Sequence, residues 1–107
     1  MPNPQKIKGQ KFENEIVHWF RDRGIDAERV PLSGAAKGSY SADIRFGPVL
    51  GMAGECKRFA NGLGKLYAAL EQDGADMVFA RADRKETIVC MNLDTLEALL
   101  KQAGWAE

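Results

Sequence analysis

The chain has 107 residues and a mass of 11.8 kDa, the size of one domain. With 45% hydrophobic and 28% charged residues it has an ordinary globular balance, which excludes a disordered tail and permits a modest core. Fifteen lysines and arginines face 15 acids, so the total charge points to no polyanionic partner. No apolar run reaches the ~20 residues that span a bilayer, and no membrane partner is expected. The opening Met1-Pro2-Asn3-Pro4-Gln5-Lys6 lacks the apolar stretch of a signal peptide, so a cytoplasmic protein is expected. The two cysteines, Cys56 and Cys90, cannot build a disulfide framework and read as reduced core thiols. With His18 the single histidine and no Cys/His cluster, zinc is excluded.

Taken in chain order, residues 1–8 read as a loose basic arm ahead of a single domain spanning 1–107. From Gly9 onward Phe12, Ile16, Trp19 and Phe20 recur at helical spacing until Gly24. Ile25 to Val30 is a short strand candidate ending at Pro31, and Pro31 to Ser41 is a loop of small residues, long for a compact domain. Asp43 to Phe46 and Leu50 to Phe59 read as strands joined at Gly47-Pro48. After Asn61-Gly62, the residues Leu63, Leu66, Tyr67 and Leu70 predict an amphipathic helix closing at Gly74. Met77 to Ala80 and Thr87 to Met91 are strands around the polar turn Arg81 to Glu86. A last helix starts near Asn92 or Asp94, where Asp94-Thr95-Leu96-Glu97 fits a capping box, and buries Leu93, Leu96, Leu99 and Leu100 before Gly104. The order α-β-β-β-α-β-β-α predicts an α/β (α+β) domain with a central mixed sheet flanked by helices.

Two features break the burial pattern. Glu55-Cys56-Lys57 interrupts an apolar strand, and side-chain alternation puts Glu55 and Lys57 on one face. Their plain structural reading is an ion pair at the strand's exposed end. The second feature is Asp43, which a fold-back at Pro48-Val49 brings opposite positions 54–55. Two converging carboxylates repel unless a cation lies between them, and Mg²⁺ takes oxygen ligands while keeping waters. Asp43, Glu55 and the Cys56 carbonyl could therefore hold Mg²⁺, which activates water, while Lys57 orients that water or stabilises the pentavalent transition state. Taken by itself, Asp43 also reads as a strand-start or turn aspartate. Asp83-Arg84-Lys85, with Asp76 upstream, repeats the acid-x-lysine spacing but falls in a charged turn and is rejected as a site. Glu13 is a third candidate acid because Val17 and Phe20 follow it at helical spacing, whereas Glu15 reads as solvated and His18 as a surface or half-buried residue.

Gly9-x-x-x-Glu13, Arg29-Val30-Pro31-x-Ser33-Gly34, Asp43 and Glu55-x-Lys57 occur in this order. Together they resemble the PD-(D/E)XK nuclease superfamily and, more narrowly, the archaeal-type Holliday junction resolvases, which also occur in phages. The motifs cover residues 6–60, and the remaining elements fit the same restriction-endonuclease-like core. The resemblance implies a Mg²⁺-dependent DNA endonuclease, with Mn²⁺ a possible substitute, acting in recombination and repair. It assigns the cleavage site to Glu13, Asp43, Glu55 and Lys57, with Ser33 near the scissile phosphate and Gly34 beside it in the DNA-contacting loop. It also implies a homodimer on branched DNA, with Lys6, Lys8, Lys11, Arg29, Lys37 and Arg58 as phosphate contacts. Eleven of the basic residues lie in positions 1–65 against seven acids, and four against eight in the remainder, so positive charge gathers where these motifs lie. Three departures stand out: Ala42 replaces the proline before the aspartate, Arg58 follows the lysine, and the chain is neutral where resolvases usually carry a basic surface. Two other readings compete. One is a nuclease of this type for linear, flap or single-stranded DNA; the other is a non-catalytic DNA-binding or assembly module on the same fold.

Overall fold

A computed structural model describes residues 4–30 and 42–106, with side chains from residue 9 onward except that of Asp73. Among the described residues three helices and five strands follow one another as α1 (Pro4–Asp22), β1 (Ala27–Arg29), β2 (Ile44–Phe46), β3 (Met52–Gly54), α2 (Gly64–Glu71), β4 (Met77–Ala80), β5 (Ile88–Met91) and α3 (Leu93–Gln102). The chain groups into two compact units, Met1–Arg58 with Gly104–Glu107, and Phe59–Ala103.

In the first unit β1, β2 and β3 form an antiparallel sheet in that order, with Ala27 opposite Phe46 and Ile44 opposite Gly54. The core is Val17 and Phe20 of α1 together with Ile25, Ala27, Val30 and Ile44, all at most 5% exposed. Phe20 stacks on Phe46 at 4.5 Å between ring centroids, and Trp19 meets Phe20 edge-on at 5.1 Å. Arg23 lies 4.2 Å over the Trp19 ring and donates to its backbone carbonyl, closing the end of α1. In the second unit β4 pairs antiparallel with β5, and a 3-10 turn (Gln72–Gly74) follows α2.

The structure departs from the sequence expectations in four ways. Helix α1 begins at Pro4 rather than Gly9, so part of the expected arm is helical; proline is well suited to a first helical turn. The described strands make two antiparallel sheets instead of one mixed sheet; the β2–β3 and β4–β5 connections are far shorter than a parallel crossover needs. The strand expected over Leu50 to Phe59 is confined to Met52–Gly54, since the Cys56 N–H donates to the Asp43 side chain instead of extending the ladder. The capping box of α3 is not made: Asn92 is the N-cap, without a side-chain cap bond, and Leu93 and Leu99 are exposed while Leu100 is buried.

The β2–β3 turn is rigidly held. Gly47 adopts φ 91°, its N–H donates to the Asp26 carbonyl at 2.9 Å, and the Trp105 ring lies directly against it. A β-carbon there would stand 2.5 Å from Trp105 Cζ3. Beyond it, a 3-10 turn (Pro48–Leu50) places Val49 and Leu50 at φ 50° and 54°, and Arg45 Nε donates to the Leu50 carbonyl at 2.9 Å. Positive φ at a β-branched residue is costly, and this set of bonds over-determines it. Gly47→Ala combines a disfavoured φ with overpacking, and it should cost roughly 2–5 kcal/mol in urea unfolding. Gly64→Ala, with open space around it at the start of α2, should be neutral or slightly stabilising in the same assay.

Candidate active site

Asp43 stands at the mouth of the first sheet, one residue before β2. Its carbonyl accepts the Val30 N–H at 2.9 Å, continuing the β1–β2 ladder. Its side-chain Oδ2 accepts the Cys56 N–H at 2.7 Å, two residues past the end of β3. That backbone donor therefore bonds a side chain instead of a neighbouring strand, which is why the ladder stops at Gly54. The register is kept by Gly54 lying opposite Ile44: a β-carbon at Gly54 would sit 3.0 Å from the buried Ile44 side chain.

Continuing that register sets Glu55 opposite Asp43, so the two carboxyl groups face each other at the open end of the β2–β3 hairpin. A proton on one carboxyl lets it donate to the other. The Asp43 contact pushes Glu55 above its ordinary 4.5, slight desolvation and the charges of Asp43 and Glu13 add to this, and Lys57 pulls the other way. Glu55 and Lys57 are exposed, so the acid and the lysine are not carried inside an apolar strand as the sequence suggested; they leave the sheet just beyond its last paired residue. Phe59, also expected inside that strand, is 59% exposed.

Glu13 lies on the face of α1 that carries Ile16, Val17 and Phe20, and its side chain is only 13% exposed. It is paired with Arg29 of β1, whose Nε stands 3.2 Å from Glu13 Oε1. The structure thus brings Asp43 and Glu55 into contact, with Lys57 close enough to act on Glu55. It does not bring Glu13 to ligand distance: among the described residues no three His, Cys, Asp or Glu side chains converge closely enough to hold an ion. The paired carboxylates nevertheless fit a hard cation, being all-oxygen donors whose mutual repulsion only a positive charge or a proton relieves. Cys56 offers no thiolate: burial first, then the neighbouring acids, raise its thiol to about 11.

Arg29, expected as a phosphate contact, also pairs with Glu13, and that pairing is what the sequence reading missed. The signal was present, since an acid on a core-facing stripe requires a cation and Arg29, two residues from buried Ala27 on β1, shares its face. Lys11 and Arg58 are exposed. Ser33, Gly34, Lys37 and the side chains of Lys6 and Lys8 lie outside the described residues. Asp83, Arg84 and Lys85, the rejected second acid-x-lysine set, are all exposed between β4 and β5.

Over residues 4–103 the chain matches the family described as archaeal Holliday junction resolvase. It belongs to that family. No curated protein and no solved structure matches it. Membership in the archaeal Holliday junction resolvase family places the chain among PD-(D/E)XK-type nucleases that act on DNA. No described helix of this family member is long and apolar enough to cross a membrane.

Two measurements check the site's electrostatics. The folded state holds the Glu55 proton more tightly than the unfolded chain, so this pair's contribution is complete below pH 4.5 and is lost as pH rises through the raised value. Urea midpoints should accordingly show a fall above pH 4.5 in the wild type that Glu55→Gln removes. Alkylation of Cys56 at pH 8 should be slowed by about 100-fold relative to a thiol at the ordinary 9.0, following its smaller thiolate fraction.

Proposed function

We propose that the chain is a divalent-metal-dependent endonuclease that hydrolyses phosphodiester bonds in four-way DNA junctions. The observation that carries this reading is the placing of Glu55 opposite Asp43 at the end of the β2–β3 register, with Lys57 two residues on, in a member of a resolvase family. Asp43 and Glu55 would hold Mg²⁺, or Mn²⁺ in its place, with the Cys56 carbonyl and Glu13 as further oxygen donors. Bound there, the ion supplies an activated water and offsets charge developing on the phosphate. The chain's own residues do the rest. Asp43 is fixed by two backbone bonds, so its carboxylate needs little ordering when a ligand arrives. Lys57 orients the attacking water and stabilises the additional negative charge as the water oxygen bonds to phosphorus and a bridging P–O bond breaks. Ser33 is assigned to the scissile phosphate and Gly34, beside it, to DNA contact. Lys6, Lys8, Lys11, Arg29, Lys37 and Arg58 are assigned to the DNA backbone, where they position the duplex arms without reading sequence. A homodimer would present two such sites across one junction, a reading that rests on the family resemblance.

A labelled panel of four-way junction, flap, linear duplex and single strand, incubated with Mg²⁺ or Mn²⁺, tests the proposal. Paired cuts in the junction are expected, with Glu55→Gln and Lys57→Ala each slowing them by about 10²–10³ or more. Cleavage of the linear or flap substrates in preference to the junction would keep the site and overturn the substrate. Cleavage that persists in EDTA would overturn the metal.

A further inference from the structure

Glu13 is a carboxylate on the core-facing side of α1, nearly covered, and a charge so placed needs a partner. Its partner is Arg29, but the hold is slight. One Nε contact at 3.2 Å joins them, longer than the ~2.7–2.9 Å of a strong charge-assisted bond and without the two-point fork that a guanidinium offers a carboxylate. Arg29 is 38% exposed, so the rest of its planar donor set is within reach of solvent. Position adds to this. Arg29 is the last residue of β1, and the next residue, Val30, bonds the Asp43 carbonyl. Glu13 meanwhile lies near enough to act on both Glu55 and Cys56, yet does not join Asp43 and Glu55 in one cluster. The third acid of the site is present, close and tethered elsewhere.

We propose that Arg29 is a positioning residue that makes assembly of the ion site conditional on DNA: a backbone phosphate draws its guanidinium away, and the released Glu13 carboxylate turns to Asp43 and Glu55. This rests on reading Asp43 and Glu55 as the ion-binding pair. A phosphate presents a guanidinium with the same flat pair of oxygens as a carboxylate and carries formal charge at every nucleotide, so it competes with Glu13 on favourable terms. A third carboxylate arriving beside two others is repelled unless a divalent cation balances them, so DNA and cation each favour the other's binding. That coupling is reciprocal by linkage.

The test measures binding without turnover. Mn²⁺ affinity of the DNA-free protein is read by electron paramagnetic resonance for wild type, Arg29→Ala, Glu13→Gln and the double variant. Junction affinity is read by fluorescence anisotropy in EDTA and in Ca²⁺. Arg29→Ala should bind Mn²⁺ about 5–10-fold more tightly than wild type because Glu13 is already released, within the range of ordinary site coupling. The gain should vanish in the Glu13→Gln background, which separates release of Glu13 from the mere loss of a nearby positive charge. In wild type Ca²⁺ should tighten junction binding by at least 5-fold, and in Arg29→Ala that gain should shrink toward none. Arg29→Lys, with a compact point charge, should fall between wild type and Arg29→Ala, and it carries the test if the alanine variant fails to fold. An Arg29 variant with unchanged or weaker Mn²⁺ affinity, or a gain that survives in Glu13→Gln, overturns the hand-off and leaves a structural ion pair. If Asp43→Asn leaves wild-type Mn²⁺ binding untouched, the underlying reading of the ion pair falls, and the hand-off falls with it.

Discussion

A single aspartate ties three consecutive stretches of chain together at the end of the first sheet. Asp43 receives the Val30 N–H on its carbonyl and the Cys56 N–H on its carboxylate, so β1, β2 and the segment leaving β3 all meet at one residue. The arrangement has a chemical consequence. A carboxylate fixed by a backbone donor cannot swing away from a second acid, and the register that sets Gly54 against Ile44 delivers Glu55 to its side. The two groups must then share a proton or a cation.

Charge around this point is organised so that negative potential is concentrated and only partly answered. Lys57 acts on Glu55 in the opposite sense to Asp43, and Arg29 holds Glu13 by one bond. Burial of the Cys56 thiol removes it from this contest, since at about 11 it stays neutral in the physiological range. Below the site, the hairpin is anchored by the Phe20–Phe46 stack and by Trp105 lying against Gly47. These contacts hold β2 and β3 as a stiff support for acids that are themselves exposed or half-buried. Stiff supports of that kind suit sites whose chemistry depends on placement more than on burial.

Much of this was legible in the sequence, for identifiable reasons. The helical recurrence of Phe12, Ile16, Trp19 and Phe20, the short strand run from Ile25 to Val30 before Pro31, and the turn at Gly47-Pro48 are local signals, and the elements they predict are present. The meeting of Asp43 with Glu55 followed from counting outward from that turn. Other features depend on long-range partners and could not be read so simply. The limit of β3 is set by a side-chain acceptor 13 residues away, at Asp43, which takes the Cys56 N–H out of the ladder. Trp105 lies far along the chain from Gly47, so its contact leaves no periodic trace. The Glu13–Arg29 pair spans 16 residues and was read as two separate residues, one acid and one phosphate contact. Hydrophobic spacing likewise overstated the burial of α3, where Leu93 and Leu99 remain exposed.

The account turns on Asp43 serving as both a structural acceptor and an ion ligand, and one substitution separates those roles. Asparagine keeps an oxygen able to accept the Cys56 N–H and removes the charge. The most direct measurement is Mn²⁺ binding to Asp43→Asn, followed by electron paramagnetic resonance alongside thermal unfolding in EDTA. A protein that unfolds within a few degrees of the wild type, with Mn²⁺ affinity weakened by at least about 10-fold, is what the account predicts. Wild-type Mn²⁺ affinity in a normally folded Asp43→Asn protein would contradict it.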